Sequence, residues 1–308
     1  MNKKQIFSFI VLLGITAIIT GFLVRYAIAF SQVNEAQTVK FEEKWTDFGS
    51  TTTLNVLPVY EDWSKDNQLI SGPGLAYLIK TDSTTIMFDL GNNPDQADPS
   101  PLTQNMSSLG ITFDDIDAVV LSHNHPDHVG GFAWWRQRSF SADSQQRALR
   151  SMPVYLPEDM KHPEVDTMVV TQPVLIAPGL VSIGTLPFIE PFPLSILEPL
   201  GREQVLAINV EGRGIVLISG CGHPGLEAIV NRAESLFNEP VIGVIGGLHF
   251  LKTDEVDLAP HIDILKQRNP VLIALSPHDS SGSVLQAFES AFPEVYRYIV
   301  AGHEISLS

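Results

Sequence analysis

Three histidines and one aspartate fall within six consecutive positions of this chain, directly after an apolar segment. Residues 117–121 are rich in β-branched and aliphatic side chains and end at a turn signal, a pattern that predicts a buried strand. The polar residues that follow this strand are His123, His125, Asp127 and His128. A rigid strand holds ligands in place while the loop beyond it curls round an ion, so the sequence predicts a metal site here.

The spacing of this motif favours two metal ions over one. His123 and His125 are two positions apart, so a short turn can direct both rings at the same ion. Asp127 and His128 then point elsewhere, which suits a second ion close by. The alternative is a polar loop that is rich in histidine by chance. The chain has only nine histidines in 308 residues, which makes that alternative the weaker one.

The pattern His-x-His-x-Asp-His after a strand resembles the metal motif of the metallo-β-lactamase fold superfamily. Other motifs of that superfamily occur here in matching order: a strand-Asp-x-Gly segment at 84–91, Gly-Cys-Gly-His-Pro-Gly at 220–225, Gly-Gly-Leu-His at 246–249 and Ser-Pro-His at 276–278. The Gly-Cys-x-His-Pro-Gly and Gly-Gly-x-His pair is similar to the branch that contains the methanopterin-type dihydropterin ribofuranosyl-aminobenzene phosphate synthases. The resemblance covers roughly residues 54–308.

This resemblance implies an α/β fold, namely an αββα sandwich in residues 54–308. The strand pattern agrees, because runs such as 241–245 are apolar on both faces and need helices on both sides of the sheets. Strands are predicted at 53–60, 74–80, 85–90, 118–122, 154–156, 174–177, 181–183, 205–210, 215–219, 241–245, 272–276 and 298–301. Helices are predicted at 98–109, 141–151, 225–236, 258–268 and 283–292.

The resemblance also implies the two sets of metal ligands. His123, His125 and His223 would hold one divalent ion, and Asp127, His128 and His278 the second. Both His223 and His278 follow apolar strands, although each could instead be a turn histidine bonded to the backbone. Zn²⁺ is the first choice of metal, with Mn²⁺ or Fe as alternatives.

Three further residues have candidate roles in the same site. Asp89 ends an apolar strand, where a buried carboxylate needs a partner, and the ring N–H of a metal-bound histidine would supply one. The single cysteine, Cys221, stands near the position where many superfamily members carry a bridging aspartate. It is either a bridging thiolate or a buried, inert thiol. His249 is either a catalytic residue that contacts substrate or a turn histidine.

The N-terminus carries an uncharged apolar segment, residues 5–24, which is long enough to cross a bilayer as a helix. Lys3 and Lys4 before it predict a cytoplasmic N-terminus. Residues 1–30 are interpreted as a membrane anchor and residues 31–53 as a polar linker, which places the catalytic domain outside the cytoplasm. The alternative is a signal peptide cleaved after the small residues at 27–29, which would give a secreted or periplasmic protein.

The charge of the chain excludes nucleic acid as its main partner. The net charge is −16 and the first 30 residues contribute three positive charges, so the remainder carries about −19 and repels phosphate backbones. A small anionic substrate stays compatible with this negative charge, because two divalent ions would reverse the electrostatic field at the site. The sequence does not indicate an oligomeric state.

Together these features predict a hydrolase whose two ions and Asp127 activate water for attack on a phosphoester or related ester bond. The alternatives are a lactone or lactam hydrolase, an enzyme like the pterin-precursor synthases, and a non-catalytic metal-binding surface protein. One departure bears on the substrate. Relatives tend to carry His-Cys-Thr-Gly at the last motif, where this chain has His-Asp-Ser-Ser-Gly at 278–282.

Overall fold

The computed structural model describes residues 2–39, 41, 43–64, 67–146, 149, 152–250 and 255–308. The chain divides into two compact units. The smaller consists of Met1–Val39 with Leu186–Gly201, and the larger of Lys40–Thr185 with Arg202–Ser308.

Thirteen strands are seen in the described residues. They are β1 (Leu54–Tyr60), β2 (Ala76–Lys80), β3 (Thr85–Phe88), β4 (Ala118–Val120), β5 (Val154–Leu156), β6 (Thr167–Val169), β7 (Val174–Ala177), β8 (Leu180–Ile189), β9 (Leu200–Val210), β10 (Gly214–Ser219), β11 (Val241–Gly246), β12 (Leu272–Leu275) and β13 (Ile305–Leu307). The α-helices are α1 (Lys3–Thr38), α2 (Pro101–Ser108), α3 (Phe132–Trp135), α4 (Leu194–Leu197), α5 (Leu226–Leu236), α6 (Glu255–Lys266) and α7 (Gly282–Ala291), with a 3₁₀ turn at Phe113–Asp115.

The strands form two mixed sheets. The first has the order β13-β1-β2-β3-β4-β5-β6, and the second has the order β12-β11-β10-β9-β8-β7. Strands β3 to β6 run parallel to one another, as do β10 to β12. The carboxyl ends of parallel strands lie at one edge of a sheet, and the predicted ligands follow strands of these two parallel groups.

A common apolar core lies between the two sheets, with side chains from the first (Val56, Ile79, Phe88) and from the second (Ile208, Ile218). The opposite face of the first sheet packs against α2 through Leu102 and Met106. Helix α5 buries a stripe at helical spacing: Leu226, Ile229, Val230, Ala233 and Leu236. Burial of such stripes stabilises amphipathic helices more than their intrinsic propensity does. The predicted α/β architecture with two sheets is confirmed.

The smaller unit contains α1, whose apolar part is long enough to span a membrane. The most apolar 18-residue window of residues 3–37 has a mean hydropathy of 2.5, and none of that window is buried. Within this unit, Nη2 of Arg25 donates to the carbonyl oxygen of Leu197 over 2.7 Å.

The segment predicted as a linker has more structure than a spacer. Helix α1 continues to Thr38, past the expected boundary at residue 30, because residues 31–38 contain good helix formers and no proline or glycine. Residues 43–53 belong to the larger unit and make contacts within it. Phe48 is buried against Phe237 with ring centroids 4.6 Å apart, and the backbone N–H of Trp45 donates to the carbonyl oxygen of Leu236.

Two predicted elements differ from the structure. Residues 298–301 do not form a strand, and the final strand is instead β13, which pairs antiparallel with β1 through Val56 and Ile305. A three-residue strand is defined by its distant partner more than by its own pattern, so residues 305–307 carry no local signal of a strand. The helix predicted at 141–151 is absent from residues 141–146, and 147–148 and 150–151 lie outside the described residues.

Candidate metal centre

Loops from the ends of both sheets bring the predicted site residues together. Asp89 follows β3 and His123 follows β4, while the 221–223 turn follows β10 and His278 follows β12. Three groups of side chains each have ligand atoms within 4.8 Å of one another. The groups are His123 with His125 and His223, Asp127 with His128 and His278, and His123 with His128 and Cys221.

The first group has the arrangement that a tetrahedral ion needs. Nδ1 of His125 lies 3.1 Å from Nε2 of His123 and 3.2 Å from Nε2 of His223. Two nitrogen ligands at about 2.0–2.1 Å from a tetrahedral Zn²⁺ are separated by roughly 3.3–3.4 Å. Burial lowers the pKa of both His123 and His223 well below 6.5, so both rings are neutral at pH 7 and can donate lone pairs. The donor set therefore fits a divalent metal.

A buried carboxylate fixes the ring protons of two histidines in the motif. Oδ2 of Asp89 lies 2.7 Å from Nδ1 of His128 and accepts from Oγ of Ser122 over 2.6 Å. Because the single hydroxyl proton of Ser122 goes to this carboxylate, its oxygen accepts from Nδ1 of His123 over 2.9 Å. Both histidines thus carry a proton on Nδ1, and both present Nε2 to the centre. The expected pairing of Asp89 with a ring N–H is seen in the structure.

The second group centres on Asp127. Its Oδ2 lies 2.9 Å from Nε2 of His278 and 4.0 Å from Nε2 of His128. Burial raises the pKa of Asp127, but the imidazoles of His128 and His278 outweigh burial and hold that pKa below its usual range. For His128, burial lowers the pKa, while Asp89 and Asp127 overcome this effect and raise it to about 9. In the absence of metal, a proton therefore occupies the ring nitrogen that faces the centre.

Cys221 lies beside both groups. Its Sγ is 3.1 Å from Nε2 of His128 and 3.9 Å from Nε2 of His278. Burial raises the pKa of this thiol well above its usual value, with nearby carboxylates adding to the effect. A cation at this position would reverse that balance and favour the thiolate.

Glu203 is a site residue that the sequence analysis missed. It is fully buried on β9, and its carboxylate accepts from the backbone N–H groups of Cys221, Gly222 and His223 over 3.1, 2.8 and 2.8 Å. Burial raises its pKa and these N–H groups oppose that rise. The residue holds the turn that carries His223. Its signal in the sequence was a carboxylate at the start of the apolar run 205–210.

Glu61 plays the equivalent part for the last loop and was also missed. Its buried carboxylate accepts from Oγ of Ser276 over 2.8 Å, from the backbone N–H of His278 over 3.1 Å and from the hydroxyl of Tyr77 over 2.6 Å. Its position after the strand 53–60 gave no hint of a partner more than 200 residues away.

His249 lies at the exposed side of the centre. Its ring centroid is 4.4 Å from that of His223, and its backbone has a φ of 57°, in the left-handed region. The buried carboxylate of Asp279 holds this conformation by accepting from the backbone N–H of His249 over 2.9 Å.

Comparison with known proteins agrees with this geometry. Residues 70–142, which include Asp89 and the whole His123–His128 motif, match the model of the metallo-beta-lactamase superfamily. In the segment that carries the motif, this chain is similar to the metallo-β-lactamase superfamily. The chain is 25% identical over 293 residues to the 7,8-dihydropterin-6-methyl-4-(beta-D-ribofuranosyl)-aminobenzene-5'-phosphate synthase of Methanocaldococcus jannaschii, which covers 83% of this chain and 97% of the relative. The branch predicted from the sequence is thereby supported.

Solved metallo-β-lactamase structures share the fold. Tm1679, described as a metal-dependent hydrolase of the beta-lactamase superfamily, superimposes with a TM-score of 0.61 at 20% identity and covers 83% of this chain and 99% of its own. The metallo-beta-lactamase fold protein YhfI from Bacillus subtilis gives a TM-score of 0.51 at 15% identity, with 83% and 100% coverage.

Proposed function

We propose that this chain is a metal-dependent hydrolase with a dinuclear centre. The observation that carries the proposal is the convergence of nitrogens from His123, His125 and His223 at 3.1 and 3.2 Å, next to a second group around Asp127 and His128. A purely structural site closes its coordination sphere with four ligands and has no use for a second ion.

The first ion would be held by His123, His125 and His223. The second would be held by Asp127 and His128, with His278 and Cys221 as the nearest further donors. Zn²⁺ is the preferred metal and Mn²⁺ or Fe the alternatives. When bound, such ions supply Lewis acidity, which makes water a nucleophile at neutral pH and neutralises developing negative charge.

The chain's own residues supply orientation. The low pKa of Asp127 keeps this carboxylate ionised, so it can accept a hydrogen bond from the attacking water and orient it. Its Oδ2 lies 2.9 Å from Nε2 of His278. His249, at the exposed side of the centre, is in a position to contact the substrate.

A phosphoester or related ester is our preferred substrate class. The similar synthase is named for a 5'-phosphate compound, which supports a phosphate-containing molecule as the ligand of this site. Divalent ions at the centre reverse the field of a chain with a net charge of −16, which permits a small anionic substrate.

A synthase-like activity on a pterin precursor is the second candidate. It is favoured by the 25% identity to the synthase, which extends over 97% of that protein. It is opposed by the replacement of Cys-Thr-Gly with Asp279-Ser280-Ser281-Gly282 after His278. An extracytoplasmic location would also oppose it.

The test is turnover of the metal-loaded chain on a panel of phosphodiesters, phosphomonoesters, lactones and β-lactams. We expect hydrolysis of at least one phosphoester. Asp127→Asn should lower kcat by about 10²–10⁴, the usual effect of losing a positioned acid–base group. Asp95→Asn, at an exposed position, is the matched control and should retain wild-type turnover.

Two results would contradict the proposal. Hydrolysis of no panel member, together with condensation activity on a pterin precursor, would favour the synthase. Unchanged hydrolysis by Asp127→Asn on a substrate that the wild type turns over would remove Asp127 from the mechanism.

We also propose that α1 is an uncleaved anchor that keeps residues 31–308 outside the cytoplasm. The support is an apolar helix near the N-terminus whose first residues are Lys3 and Lys4 and whose most apolar 18-residue window has a mean hydropathy of 2.5. A signal peptide is the alternative, although an apolar core of about 20 residues exceeds the roughly 7–15 residues typical of that role.

A further inference from the structure

The segment that joins β8 to β9 exposes large apolar side chains. Phe192 lies before the short helix α4 and is 80% exposed, while Ile196 and Leu197 lie on α4 and are 50% and 71% exposed. A single exposed apolar residue is ordinary on a protein surface, but a cluster of them indicates a surface that binds a partner or a membrane. The segment carries none of the candidate metal ligands, so the proposed metal centre does not account for it.

A hydrogen bond ties this segment to α1, which belongs to the same compact unit. Nη2 of Arg25 donates to the carbonyl oxygen of Leu197 over 2.7 Å. Arg25 directly follows the uncharged residues 5–24. At a rise of 1.5 Å per residue, about 20 helical residues cover about 30 Å, which is the thickness of the hydrocarbon core of a bilayer. If α1 spans a bilayer, Arg25 therefore lies at the outer boundary of the core, and Leu197 lies at the same level.

Helix α1 has exposed apolar and aromatic side chains at this level too. Tyr26, Ile28 and Phe30 are 38%, 54% and 54% exposed. All three lie within about 8 Å of Arg25 along the helix axis. Tyrosine is enriched where a membrane meets water, because its ring is apolar and its hydroxyl is polar. The exposed side chains of α1 and of the 192–197 segment thus occur at one depth.

The backbone of the segment suits contact with lipid. An N–H group that faces lipid must find its acceptor within the protein, because hydrocarbon offers none. The backbone N–H groups of Ser195, Ile196 and Glu198 each donate to a carbonyl oxygen within the segment over 3.1 Å. Three other residues of the segment have no N–H group: Pro191, Pro193 and Pro199.

We propose that Phe192, Ile196 and Leu197 insert into the outer interface of the bilayer that α1 spans, so that the chain contacts the membrane at two places. This inference rests on the proposed anchor. The partner is the apolar boundary of the bilayer and not its anionic headgroups, because the charged residues that flank the exposed side chains are the acidic Glu190 and Glu198. Side chains of this kind lie about 5–10 Å deep, at the boundary between headgroups and acyl chains.

The test measures the depth of nitroxide spin labels on the full chain in phosphatidylcholine vesicles. Single labels are attached through Phe192→Cys, Leu197→Cys and Tyr26→Cys, the last of which marks the level of Arg25. The relative collision rates of each label with O₂ and with a water-soluble nickel chelate give its depth. Circular dichroism and thermal unfolding establish that each variant is folded.

Two controls accompany these labels. Met168→Cys carries a label at another exposed apolar position, which is 47% exposed on β6 of the larger unit. The native Cys221 is buried, and the unsubstituted chain measures its background labelling.

We expect the labels at Phe192 and Leu197 to lie about 5–10 Å into the interface, and the label at Met168 to lie in water. The depths of the labels at Leu197 and Tyr26 should agree within about 5 Å, one helical turn. Lipid exposure at Met168 equal to that at Phe192 would overturn the proposal, since the segment would then be no specific contact. Dipolar broadening between labels at Phe192 of two chains, without exposure to lipid, would also overturn it, because a second copy would cover the segment.

Failure of this inference differs from failure of the anchor. A chain that stays in the vesicles after alkaline carbonate extraction, with its Tyr26 label at the interface and its Phe192 and Leu197 labels in water, contradicts this inference alone. A chain that carbonate extracts, or whose Tyr26 label lies in water, contradicts the anchor and this inference with it.

Discussion

Oδ2 of Asp89 lies 2.7 Å from Nδ1 of His128, and both side chains are fully buried. The same oxygen accepts from Ser122, whose own oxygen accepts from His123. One carboxylate therefore sets the ring protons of two histidines and directs both Nε2 atoms at the centre. Such partners determine metal affinity without touching the metal.

Asp89→Asn tests this relationship. The amide keeps the shape of the side chain but loses the charge, and one of its two polar atoms becomes a donor. We expect metal affinity to fall by about 10–100-fold while the fold survives. Competition with a chelating dye measures the affinity, and Asp47→Asn, at an exposed position, is the control. Wild-type affinity in Asp89→Asn would show that the network is dispensable.

Glu203→Gln should weaken the first metal position. The carboxylate of Glu203 accepts from three backbone N–H groups of the turn that carries His223, and an amide nitrogen placed there would face donors. We expect first-ion affinity to fall by about 10–100-fold and the unfolding temperature to decrease. Calorimetric titration and thermal melts measure the two effects. Glu211→Gln, on an exposed turn, should change neither.

The two ions should differ in their pH dependence. Burial lowers the pKa of His128, but Asp89 and Asp127 outweigh burial and raise this pKa to about 9. An ion at that position must therefore displace a proton at any pH below 9. Its apparent association constant should rise with pH between 7 and 9, by up to about tenfold per unit, and level off above 9. The apparent association constant of the first ion should change little over this pH range, since burial keeps His123 and His223 neutral.

Chelator competition at pH 7, 8 and 9 measures both constants. Equal pH dependence of the two ions would contradict the assignment of His128 to the second. Asp89→Asn provides an internal control, since loss of this charge should lower the pKa of His128 and flatten the dependence.

The candidate ligands were predictable from the sequence, the His123–His128 motif from its local pattern and His223 and His278 from the family resemblance. His123, His125, Asp127 and His128 follow one apolar run, and His223 and His278 each follow another. Parallel strands bring such ends to one edge of each sheet, and the packing of the two sheets, which local pattern does not encode, brings the two edges together. The two-sheet architecture follows from the same apolar runs.

The residues that hold these loops were not predictable in the same way. Glu61 follows β1 and Glu203 lies within β9, and each accepts hydrogen bonds from backbone groups distant in the chain, which no local pattern encodes. The ring of His278 accepts from the backbone N–H of Gly74, which is 204 residues away in the chain. The continuation of α1 to Thr38 was missed because a polar sequence was interpreted as a linker despite its helix propensity.

The membrane topology can be measured directly. If α1 is an anchor with a cytoplasmic N-terminus, protease added to intact spheroplasts should release a soluble domain slightly smaller than the full chain. N-terminal sequencing of the untreated membrane form should begin at residue 1 or 2. A start just after residue 29 would identify a cleaved signal peptide, and protection of the whole chain would place the domain in the cytoplasm.

The most direct test of the account is the metal content of the purified chain after supplementation with Zn²⁺, Mn²⁺ or Fe²⁺. Elemental analysis should approach two ions per chain, and His125→Ala should lose most of one, because Nδ1 of His125 lies between Nε2 of His123 and Nε2 of His223. His303→Ala, on a residue outside the ligand groups of the described chain, should retain the wild-type content. A chain that binds none of the three metals, or a His125→Ala variant with undiminished metal, would contradict the metal centre itself.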